Sequence, residues 1–357
     1  MNHFESKKLY KLAPYVGASK FGEKGIFGLG SHQKILDDLT FWFALVALSS
    51  VWKKPMTSSH ALDLCIERYG LDSTVVSKAL KYLHDGHFVI EAGLIEPEDR
   101  YSRNHFYYHY NGANPQKVQE KLANARVAIV GCGGIGNHVS AILSTSGVGT
   151  IDLVDDDHIE LSNLTRQVLF DELSIGQKKT AVLAEQLRAR NSEINIITTN
   201  MAVRSEKDIE HITKPDLFVL SADSPSDIID WFNVFCVKHK VSYINVGYIN
   251  DISVIGPFYI PEVSACFRCS QVAPEITNTG DEISELLKNI NSGYRAATYP
   301  AVNGVSASMA SNDILKYLGG FGEILSLNKR IGVYSSEIKI ETQDMIINPL
   351  CNVCGTK

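Results

Sequence analysis

The chain has 357 residues, of which 45% are hydrophobic and 21% charged, a composition typical of a globular protein with two or three domains. With 34 basic and 40 acidic residues the net charge is −6, which argues against nucleic-acid binding through bulk positive charge. The longest apolar stretch, residues 41–52, is about half the ~20 residues that a membrane-spanning helix needs. The polar start, residues 1–8, has no apolar signal core, so we expect a cytoplasmic protein without a membrane partner.

Residues 1–95 are predicted to form a small winged-helix-like domain. A densely apolar stretch over 35–52 indicates a buried helix, and the patterns at 60–69 and 73–84 indicate two shorter helices. Residues 88–90 read as a strand, and one or two hairpins are expected ahead of the first helix. Three helices with flanking strands are typical of winged-helix units.

The third predicted helix helps to decide whether such a domain binds DNA or a peptide. Asp72 or Ser73 is expected to cap it. As a DNA-recognition helix it would carry only Lys78 and Lys81, too few cations for strong phosphate contacts. A small sheet edge can instead bind an extended peptide by strand addition.

Residues 96–357 are predicted to form an α/β domain. A polar segment over 92–122 is expected to be a connector, and short β-rich apolar runs then alternate with helical patterns. This alternation predicts right-handed crossovers and a doubly wound, Rossmann-like parallel sheet, with antiparallel additions after residue 252. The predicted strands are 126–130, 150–154, 195–199, 216–221 and 242–246, and the predicted helices are 135–146, 177–190, 205–212 and 226–239.

A glycine-rich turn, GCGGIG over 131–136, follows the first of these strands and precedes a helix. This arrangement places backbone N–H groups at a helix N-terminus, where phosphate binds. Asp155 follows the next strand at the sequence spacing from the glycine turn that is typical of an acid that binds ribose hydroxyls. A tight turn without a ligand is the alternative, but the strand and the acid favour a nucleotide. The candidate glycines are Gly131, Gly133, Gly134 and Gly136.

Three donors beyond the acid indicate which nucleotide binds. Asn163, Arg166 and Lys179 lie between Asp155 and the first turn of the next predicted helix. A pyridine nucleotide needs no such cluster, whereas a triphosphate does, because charge develops on the α-phosphate and on departing pyrophosphate. The alternative is that these three side chains lie at a solvated helix start and bind no ligand.

Asp223 follows the strand predicted at 216–221. An acid at the carboxyl end of a parallel strand faces the ligand crevice, and Mg²⁺ prefers one or two carboxylates together with phosphate oxygens. We therefore predict that Asp223 binds Mg²⁺. Capping of the next helix is an alternative that is compatible with this role.

Four of the seven cysteines form two CxxC pairs, one at 266–269 and the other close to the C-terminus at 351–354. Four thiolates suit tetrahedral Zn²⁺, and a closed four-cysteine set is structural rather than catalytic. Two unrelated turns or a redox motif are the alternatives. The predicted ligands are Cys266, Cys269, Cys351 and Cys354.

In this order, GCGGIG, DDDHIELSNLTRQ, GQKK and SAD, with RYSRN upstream and the CxxC pairs downstream, resemble the adenylating domain of ubiquitin-activating enzymes and of ThiF and MoeB. The resemblance covers about residues 100–357. It implies a ribose contact by Asp155 and Mg²⁺ binding by Asp223. It also implies further nucleotide contacts, by Asp157, Asn163, Arg166, Gln167 and Lys179.

The same resemblance implies a homodimer. Arg103, in RYSRN, would reach into the partner subunit's site, although Asn104 replaces the family's glutamine. Arg103, Arg166, Lys179 and Asp223 would then be the catalytic residues. The alternative for Arg103 is a local ion pair with Glu98 or Asp99.

Over nearly its whole length the chain resembles the MccB-like nucleotidyltransferases of microcin C-type maturation, notably in YSRNHFYYHYNGANPQKVQEKL, NLTRQVLF and GYINDI. The resemblance implies that residues 1–95 are a peptide clamp. It implies a short ribosomal peptide ending in Asn as the partner, and ATP or CTP as a substrate. The peptide's carboxylate would attack the α-phosphate and release pyrophosphate. The Asn amide nitrogen would then close on the activated carbonyl to form a succinimide, and the same nitrogen would attack a second nucleotide to give an N–P linked peptidyl-nucleotide.

Two other functions stay open at this point. The chain could activate the C-terminus of a ubiquitin-like or sulfur-carrier protein, or it could be a binding protein that retains the fold. The polar stretch 271–300 contains no cysteine, whereas in the ubiquitin-like-protein activators a thiol in the corresponding region takes the activated carboxyl. A thioester intermediate is therefore not expected.

Overall fold

The computed structural model describes residues 7–95, 99–270, 282–292 and 296–355. The chain divides into two compact units, which we call unit 1 (residues 1–119) and unit 2 (residues 120–357). The boundary expected after residue 95 falls inside unit 1. Of the polar stretch over 271–300, residues 271–281 and 293–295 lie outside the described residues. In the described part of the chain, none of the helices combines the length and the apolar character needed to cross a bilayer.

The N-terminal part of unit 1, residues 7–95, contains short strands and the three helices that the sequence predicts, α1 to α3, and two more helices, α4 and α5, follow. Strands β2, β3 and β4 form an antiparallel sheet, and β1 pairs antiparallel with β5. The last helix of the unit, α5, runs across the boundary into unit 2. The elements are β1 (Tyr10–Leu12), β2 (Ala18–Phe21), β3 (Lys24–Phe27), β4 (Lys34–Leu36), α1 (Leu39–Val51), α2 (Ser58–Tyr69), α3 (Ser73–Asp85), β5 (Val89–Glu91), α4 (Ser102–Tyr110) and α5 (Pro115–Asn124).

Two helix starts in unit 1 have clear local causes. Helix α1 begins at Leu39 rather than at residue 35, because residues 34–36 pair with β3 and the Asp38 carboxylate accepts a hydrogen bond from Phe41 N at 3.0 Å. Asp72 caps α3, accepting from the backbone nitrogens of its first turn at 2.8 and 3.2 Å. Asp72 is therefore the cap, of the two residues that the sequence offers.

The segment expected as a connector, 92–122, is instead partly helical, and that prediction was wrong. The segment counts as polar by composition, but several of its side chains are rings that can be buried. His105 and Tyr108 on α4 are buried. The Tyr110 hydroxyl accepts from His32 N at 3.0 Å and donates to Leu29 O at 3.1 Å. Tyrosine and histidine present an apolar body with a polar edge, so a segment rich in them can pack while counting as polar.

Unit 2 contains the predicted doubly wound sheet. Its described strands lie in the order β13-β12-β11-β10-β9-β6-β7-β8. They are β6 (Arg126–Val130), β7 (Thr150–Val154), β8 (Asn195–Thr199), β9 (Leu217–Leu220), β10 (Ser242–Ile249), β11 (Ile252–Tyr259), β12 (Lys329–Tyr334) and β13 (Ile340–Asp344). The helices are α6 (Gly134–Thr145), α7 (Lys179–Arg190), α8 (Glu206–Ile209), α9 (Ile228–His239), α10 (Glu282–Ser292) and α11 (Pro300–Gly319).

The order of the strands fixes where a ligand binds. Strands β8, β7, β6, β9 and β10 pair in parallel, and β11 to β13 add antiparallel pairs, as expected after residue 252. The chain moves outward from β6 to β8 and then returns to the other side of β6 at β9. In open parallel sheets the ligand crevice lies at the carboxyl ends of the strands where the order reverses. That point is between β6 and β9.

The two central strands are buried on both faces, as parallel strands between helix layers are. Val127 to Ile129 and Leu217 to Val219 are fully buried. Phe218 on β9 packs edge-on against Phe232 of α9, with ring centroids 5.1 Å apart. This packing holds the strand ends, and the loops that follow them, in a fixed place.

Candidate functional site

A cavity of about 580 Å³ opens at the carboxyl ends of β6 and β9. It joins residues that lie far apart in the chain, including most of the predicted site. The predicted residues that line it are Gly131, Gly133, Gly134, Asp155, Asp157, Arg166, Gln167, Lys179 and Asp223.

The glycine loop needs its glycines for two geometric reasons. Gly131 has φ +93°, a left-handed conformation, and a Cβ there would approach Ala222 N to 2.8 Å. A Cβ on Gly136 would lie 1.9 Å from the Gly131 carbonyl oxygen. Gly136 does not line the cavity. Because it has no side chain, the first turn of α6 can pack directly against the glycine loop.

Asp155 is tied to the glycine loop. Its carboxylate accepts hydrogen bonds from Cys132 N at 2.7 Å and from Asp157 N at 2.8 Å. Each carboxylate oxygen can accept a further bond. The acid therefore stands beside the glycine loop with capacity left for a ribose hydroxyl, and its ribose contact stays a prediction.

Cys132, within the loop, is not an accessible nucleophile. The residue is fully buried, and burial, with a contribution from the Asp155 carboxylate, raises the pKa of its thiol well above the ordinary value. Only the thiolate is strongly nucleophilic. The buried thiol of Cys236 has a raised pKa for the same reason. These cysteines give no support to a thioester.

Lys179 begins α7 and points its amine toward the strand ends. Its Nζ lies 2.7 Å from Asp157 Oδ2, and its side chain is 8% exposed against 64% for Asp157. Asp157 therefore orients the lysine from its solvent side. Lys178 instead donates to the carbonyl oxygen of Asp156 at 2.5 Å and is not among the lining residues.

Arg166 and Gln167 line the cavity next to the glycine loop: Arg166 Cγ is 3.3 Å from the point where a Cβ on Gly134 would lie, and Gln167 Nε2 is 4.0 Å from that of Gly133. Arg166 Nη1 donates to Ser162 O at 3.0 Å, which leaves its other guanidinium hydrogens for a ligand. Gln167 is 2% exposed, and its Oε1 has no partner among the residues described. Asn163 does not line the cavity: its Oδ1 accepts from Glu160 N at 3.2 Å and closes a 3-10 turn. Its contact with the triphosphate stays a prediction.

Asp223 fits the predicted role in cation binding. It is an exposed residue just after β9, and its carboxylate has no hydrogen-bond or ion-pair partner within the described ranges. It does not cap the following helix, since Asp227 occupies the cap position of α9. Across the same cavity, the carboxylates of Asp155, Asp156 and Asp157 lie within 4.8 Å of one another. Carboxylate oxygens are the ligands that Mg²⁺ prefers, so Mg²⁺ binding by Asp223 stays a prediction that this arrangement supports.

Arg103 lies in unit 1, near the start of α4, and its side chain is exposed. It forms no ion pair with Asp99 in the described structure, since that carboxylate accepts from Tyr101 N at 2.7 Å and lies 3.7 Å from His105 Nδ1. Glu98, the other partner considered, is outside the described residues. Among the described residues, Arg103 has no ion-pair partner.

The four cysteines of the CxxC pairs come together in a second site of unit 2. Cys266 Sγ lies 3.7 Å from Cys351 Sγ and 3.9 Å from Cys269 Sγ, and Cys269 Sγ lies 3.2 Å from Cys354 Sγ. A tetrahedral zinc site with Zn–S bonds of ~2.3 Å separates its sulfurs by about 3.8 Å. The arrangement therefore fits Zn²⁺.

The first cysteine pair is positioned by a buried polar network. Tyr243 on β10 donates from its hydroxyl to Asn233 Oδ1 at 2.8 Å, and Phe267 N donates to both of these groups at 3.0 Å. The turn that carries Cys266 and Cys269 is thus fastened to the sheet and to α9. Such outer contacts orient metal ligands before the metal binds.

Several residues of the cavity were missed by the sequence analysis. Asp156 and Ser221 lie in the quoted motifs DDDHIELSNLTRQ and SAD but were given no role, and the others follow strands or begin a helix where no quoted motif assigns a contact. Tyr248 lies in GYINDI and was noted only as part of a resemblance. The missed residues include Asp156, Met201, Arg204, Ser221, Tyr248 and Asn303.

Comparison with known proteins agrees with this geometry. The model of the ThiF family matches residues 102–353. The molybdopterin-synthase adenylyltransferase of Escherichia coli K12 is 28% identical over 238 residues, which are 66% of this chain and 90% of that enzyme.

A crystal structure of E. coli MccB with MccA-N7isoASN is 40% identical, has a TM-score of 0.92, and matches over 97% of this chain and 100% of that one. Structures of the same enzyme with ATP and with succinimide are also 40% identical, with TM-scores of 0.90 and 0.91. They match over 97% and 98% of this chain, respectively, and over all of that one. This chain is a member of the ThiF family, and of the branch of it that includes MccB.

Proposed function

We propose that the protein is an ATP-dependent peptide nucleotidyltransferase that activates the C-terminal Asn of a short ribosomal peptide, as in microcin C-type maturation. The observation that carries this proposal is the extent of the match to MccB. It covers 97% of the chain, whereas the match to the molybdopterin-synthase adenylyltransferase covers 66%. The N-terminal part is thus shared with an enzyme that has been crystallised with MccA, and we assign peptide binding to residues 1–95.

The first step forms an acyl-nucleotide. An oxygen of the peptide's carboxylate attacks the α-phosphorus of the nucleotide, and the bond from that phosphorus to the β-phosphate oxygen breaks, which releases pyrophosphate. Negative charge develops on the α-phosphate and on the leaving group. Lys179 and Arg166, which line the cavity, are placed to stabilise that charge. Asp223 would hold Mg²⁺, which supplies a further positive charge for phosphate oxygens when bound.

The next steps use the side chain of the terminal Asn. Its amide nitrogen attacks the activated carbonyl carbon, the bond to the nucleotide breaks, and a proton is released to solvent, which leaves a succinimide. The succinimide nitrogen then loses its proton to solvent and attacks the α-phosphorus of a second nucleotide. The bond from that phosphorus to the β-phosphate oxygen breaks, which releases pyrophosphate and leaves an N–P bond. The crystal structures of MccB with ATP and with succinimide support this order of events.

The protein's own thiols play no part in this scheme. The raised pKa of the Cys132 thiol and the burial of Cys236 keep both groups protonated. A nitrogen supplied by the substrate removes the need for a thioester. This absence of an accessible nucleophilic thiol in the described site favours a peptide substrate over transfer to a sulfur carrier.

The metal and the partner subunit belong to the same proposal. We assign a structural Zn²⁺ to Cys266, Cys269, Cys351 and Cys354, and thiols of this kind stay reduced in a cytoplasmic setting. We also assign a homodimer in which Arg103 acts on the partner's nucleotide. An unpaired, exposed arginine is suited to bidentate binding of phosphate.

The test uses the purified full chain with Mg²⁺, ATP or CTP, and the MccA peptide. Two pyrophosphates released per peptide, and a product mass with one nucleotide attached through nitrogen, are expected. A peptide whose terminal Asn is replaced by Ala is the control, and it should give no N–P product. If the chain instead releases pyrophosphate only with a ubiquitin-like or sulfur-carrier protein, the proposal is wrong.

A further inference from the structure

One polar side chain of the cavity has no assigned role. Asn303 lies in the first turn of α11, lines the cavity and is 1% exposed. Its Nδ2 donates to Thr298 Oγ1 at 3.1 Å, while its Oδ1 has no hydrogen-bond partner in the described structure. A buried acceptor without a partner is rare, and at a cavity wall a ligand that supplies a donor would satisfy it.

Asn303 stands directly over the glycine loop. Its Nδ2 is 2.9 Å, and its Cγ 3.2 Å, from the point where a Cβ on Gly134 would lie, and Arg166 Cγ is 3.3 Å from the same point. The carboxamide therefore shares one small region with the side chain expected to contact phosphate.

The helix that carries Asn303 is held firmly at this level. One turn further along α11, Ser306 Oγ donates to the Gly247 carbonyl oxygen at 2.8 Å. Gly247 precedes Tyr248, which also lines the cavity. Asn303 is thus fixed relative to the end of β10, so its free oxygen has a defined position rather than a mobile one.

The chemistry of the free atom narrows the choice of ligand. A carboxamide oxygen only accepts hydrogen bonds, and the phosphate oxygens of a nucleotide at neutral pH are acceptors as well. Two acceptors cannot bond to each other, so the free oxygen is not suited to the triphosphate. In the proposed reaction, an N–H donor must come close to the activated α-phosphate: the side-chain carboxamide of the substrate's terminal Asn.

We propose that Asn303 is a specificity-determining, positioning residue whose Oδ1 accepts a hydrogen bond from the carboxamide of the peptide's terminal Asn. The proposal rests on the proposed function and names the residue that reads the substrate's side chain. The hydrogen bond selects a side chain with an N–H group and holds its nitrogen beside the carbonyl that it attacks.

The experiment compares two peptides across three variants. The peptides are MccA and an MccA variant whose terminal Asn is replaced by Leu, similar in size but without N–H. The readout is the ratio of their kcat/KM values for the first pyrophosphate release, a step that needs only the carboxylate. Asn303→Leu should lower this ratio by about tenfold or more, through the value for MccA, because a site built for a hydrogen bond loses its selectivity with the bond.

Two further variants and one binding measurement separate specificity from structure. Asn303→Asp keeps an acceptor oxygen and should keep the ratio, since any effect of its charge on ATP applies to both peptides. Asn312→Leu is the matched control on the same helix, outside the cavity, and should change nothing. The dissociation constant of ATP, measured by calorimetry without peptide, should stay within about twofold of wild type in Asn303→Leu.

Each result decides the proposal. An unchanged ratio in a folded Asn303→Leu protein, or weaker ATP binding in place of lost selectivity, would overturn it. If Asn303→Leu does not fold, loss of the ratio in Asn303→Asp overturns the proposal and its retention supports it. Failure of the proposed function is read separately, from the wild-type protein with MccA, before any variant is compared.

Discussion

Two regions of the molecule use their polar side chains in different ways: the ring network around Tyr15 in unit 1 and the cavity of unit 2. In the ring network polar groups bond to one another: the Tyr15 hydroxyl donates to His87 O at 2.6 Å and lies 2.6 Å from His109 Nδ1. In unit 2 several polar atoms at the cavity stay open, including the Asp223 carboxylate and the amide oxygens of Gln167 and Asn303. Polar groups that are bonded to one another stabilise the fold, whereas buried polar groups without a partner in the protein are available to bind a ligand.

This contrast predicts a separation of effects. Substitutions at the open groups of unit 2 should change the reaction and leave the free energy of unfolding nearly unchanged. Substitutions in the closed networks, and in the cysteine cluster, should do the reverse. Arg103 is an exception, because it is an exposed residue of unit 1 without an ion-pair partner in the described part of the chain.

The largest effect is expected at Lys179. Lys179→Ala should reduce pyrophosphate release by about 10³-fold or more, because a buried cation at a developing phosphate charge is lost. The matched control is Lys178→Ala, which removes an amine that bonds to a backbone carbonyl instead. Melting temperatures should stay close to wild type in both. Equal losses of activity in the two variants would show that the lysine is misassigned.

The second prediction tests whether unit 1 contributes to the chemistry. Arg103→Ala and Asp223→Ala should each be inactive. When the two proteins are mixed and exchange subunits, half of the dimers are mixed, and one site in each mixed dimer has both residues. Activity should then return to about a quarter of wild type, because symmetric dimers have two equivalent sites.

The control for the mixing experiment is Asp99→Ala in place of Arg103→Ala, since Asp99 is close in sequence and is bonded locally. That variant should be active by itself. Subunit exchange is verified by mass with labelled protein. Proven exchange without any return of activity would refute an arginine that acts in trans.

The sequence predicts which residues of unit 2 come together where chemistry requires a residue type at a fixed spacing, while their contacts with a ligand stay predictions. The glycine loop, Asp155, Arg166, Lys179 and Asp223 all reach one cavity. Asn303 was missed because it enters the cavity from α11, far beyond the loop in the sequence, through packing that no local motif records. A contact of this kind depends on the order of the strands in the sheet and on where α11 packs against it.

In unit 1 the sequence predicts the apolar helices but not α4. Apolar periodicity is visible in α3, where Val76, Leu80 and Leu83 are buried on one face. Helix α4 buries His105 and Tyr108 instead, which a hydropathy pattern scores as polar. Asn163 shows a related limit in unit 2: its motif suggests a ligand contact, while its side chain closes a local turn.

The third prediction concerns the cysteine cluster. One Zn²⁺ per chain is expected by elemental analysis. Cys354→Ser should lose the metal and lower the melting temperature by about 5 °C or more, because metal binding adds directly to folding stability. ATP binding should be retained. Asn352→Ser, an exposed residue between the two cysteines of that pair, should keep both the metal and the melting temperature. Metal-free protein with intact thiols would contradict the zinc assignment.

The smallest effect is a pH dependence confined to the closed networks of unit 1. Burial lowers the pKa values of His84 and His109 to about 4, from an ordinary value near 6.5. Between these values the unfolded state binds more protons than the folded state, so unit 1 should lose stability as the pH falls from about 6.5 to about 4. Hydrogen exchange at pH 5 and 7.5 should show the loss of protection in residues 7–95.

His84→Gln should flatten the pH dependence, whereas His60→Gln, at an exposed position of α2, should not. An identical pH dependence in wild type and His84→Gln would mean that this imidazole is not kept neutral by the fold, and the contrast between the two units would lose its support from unit 1.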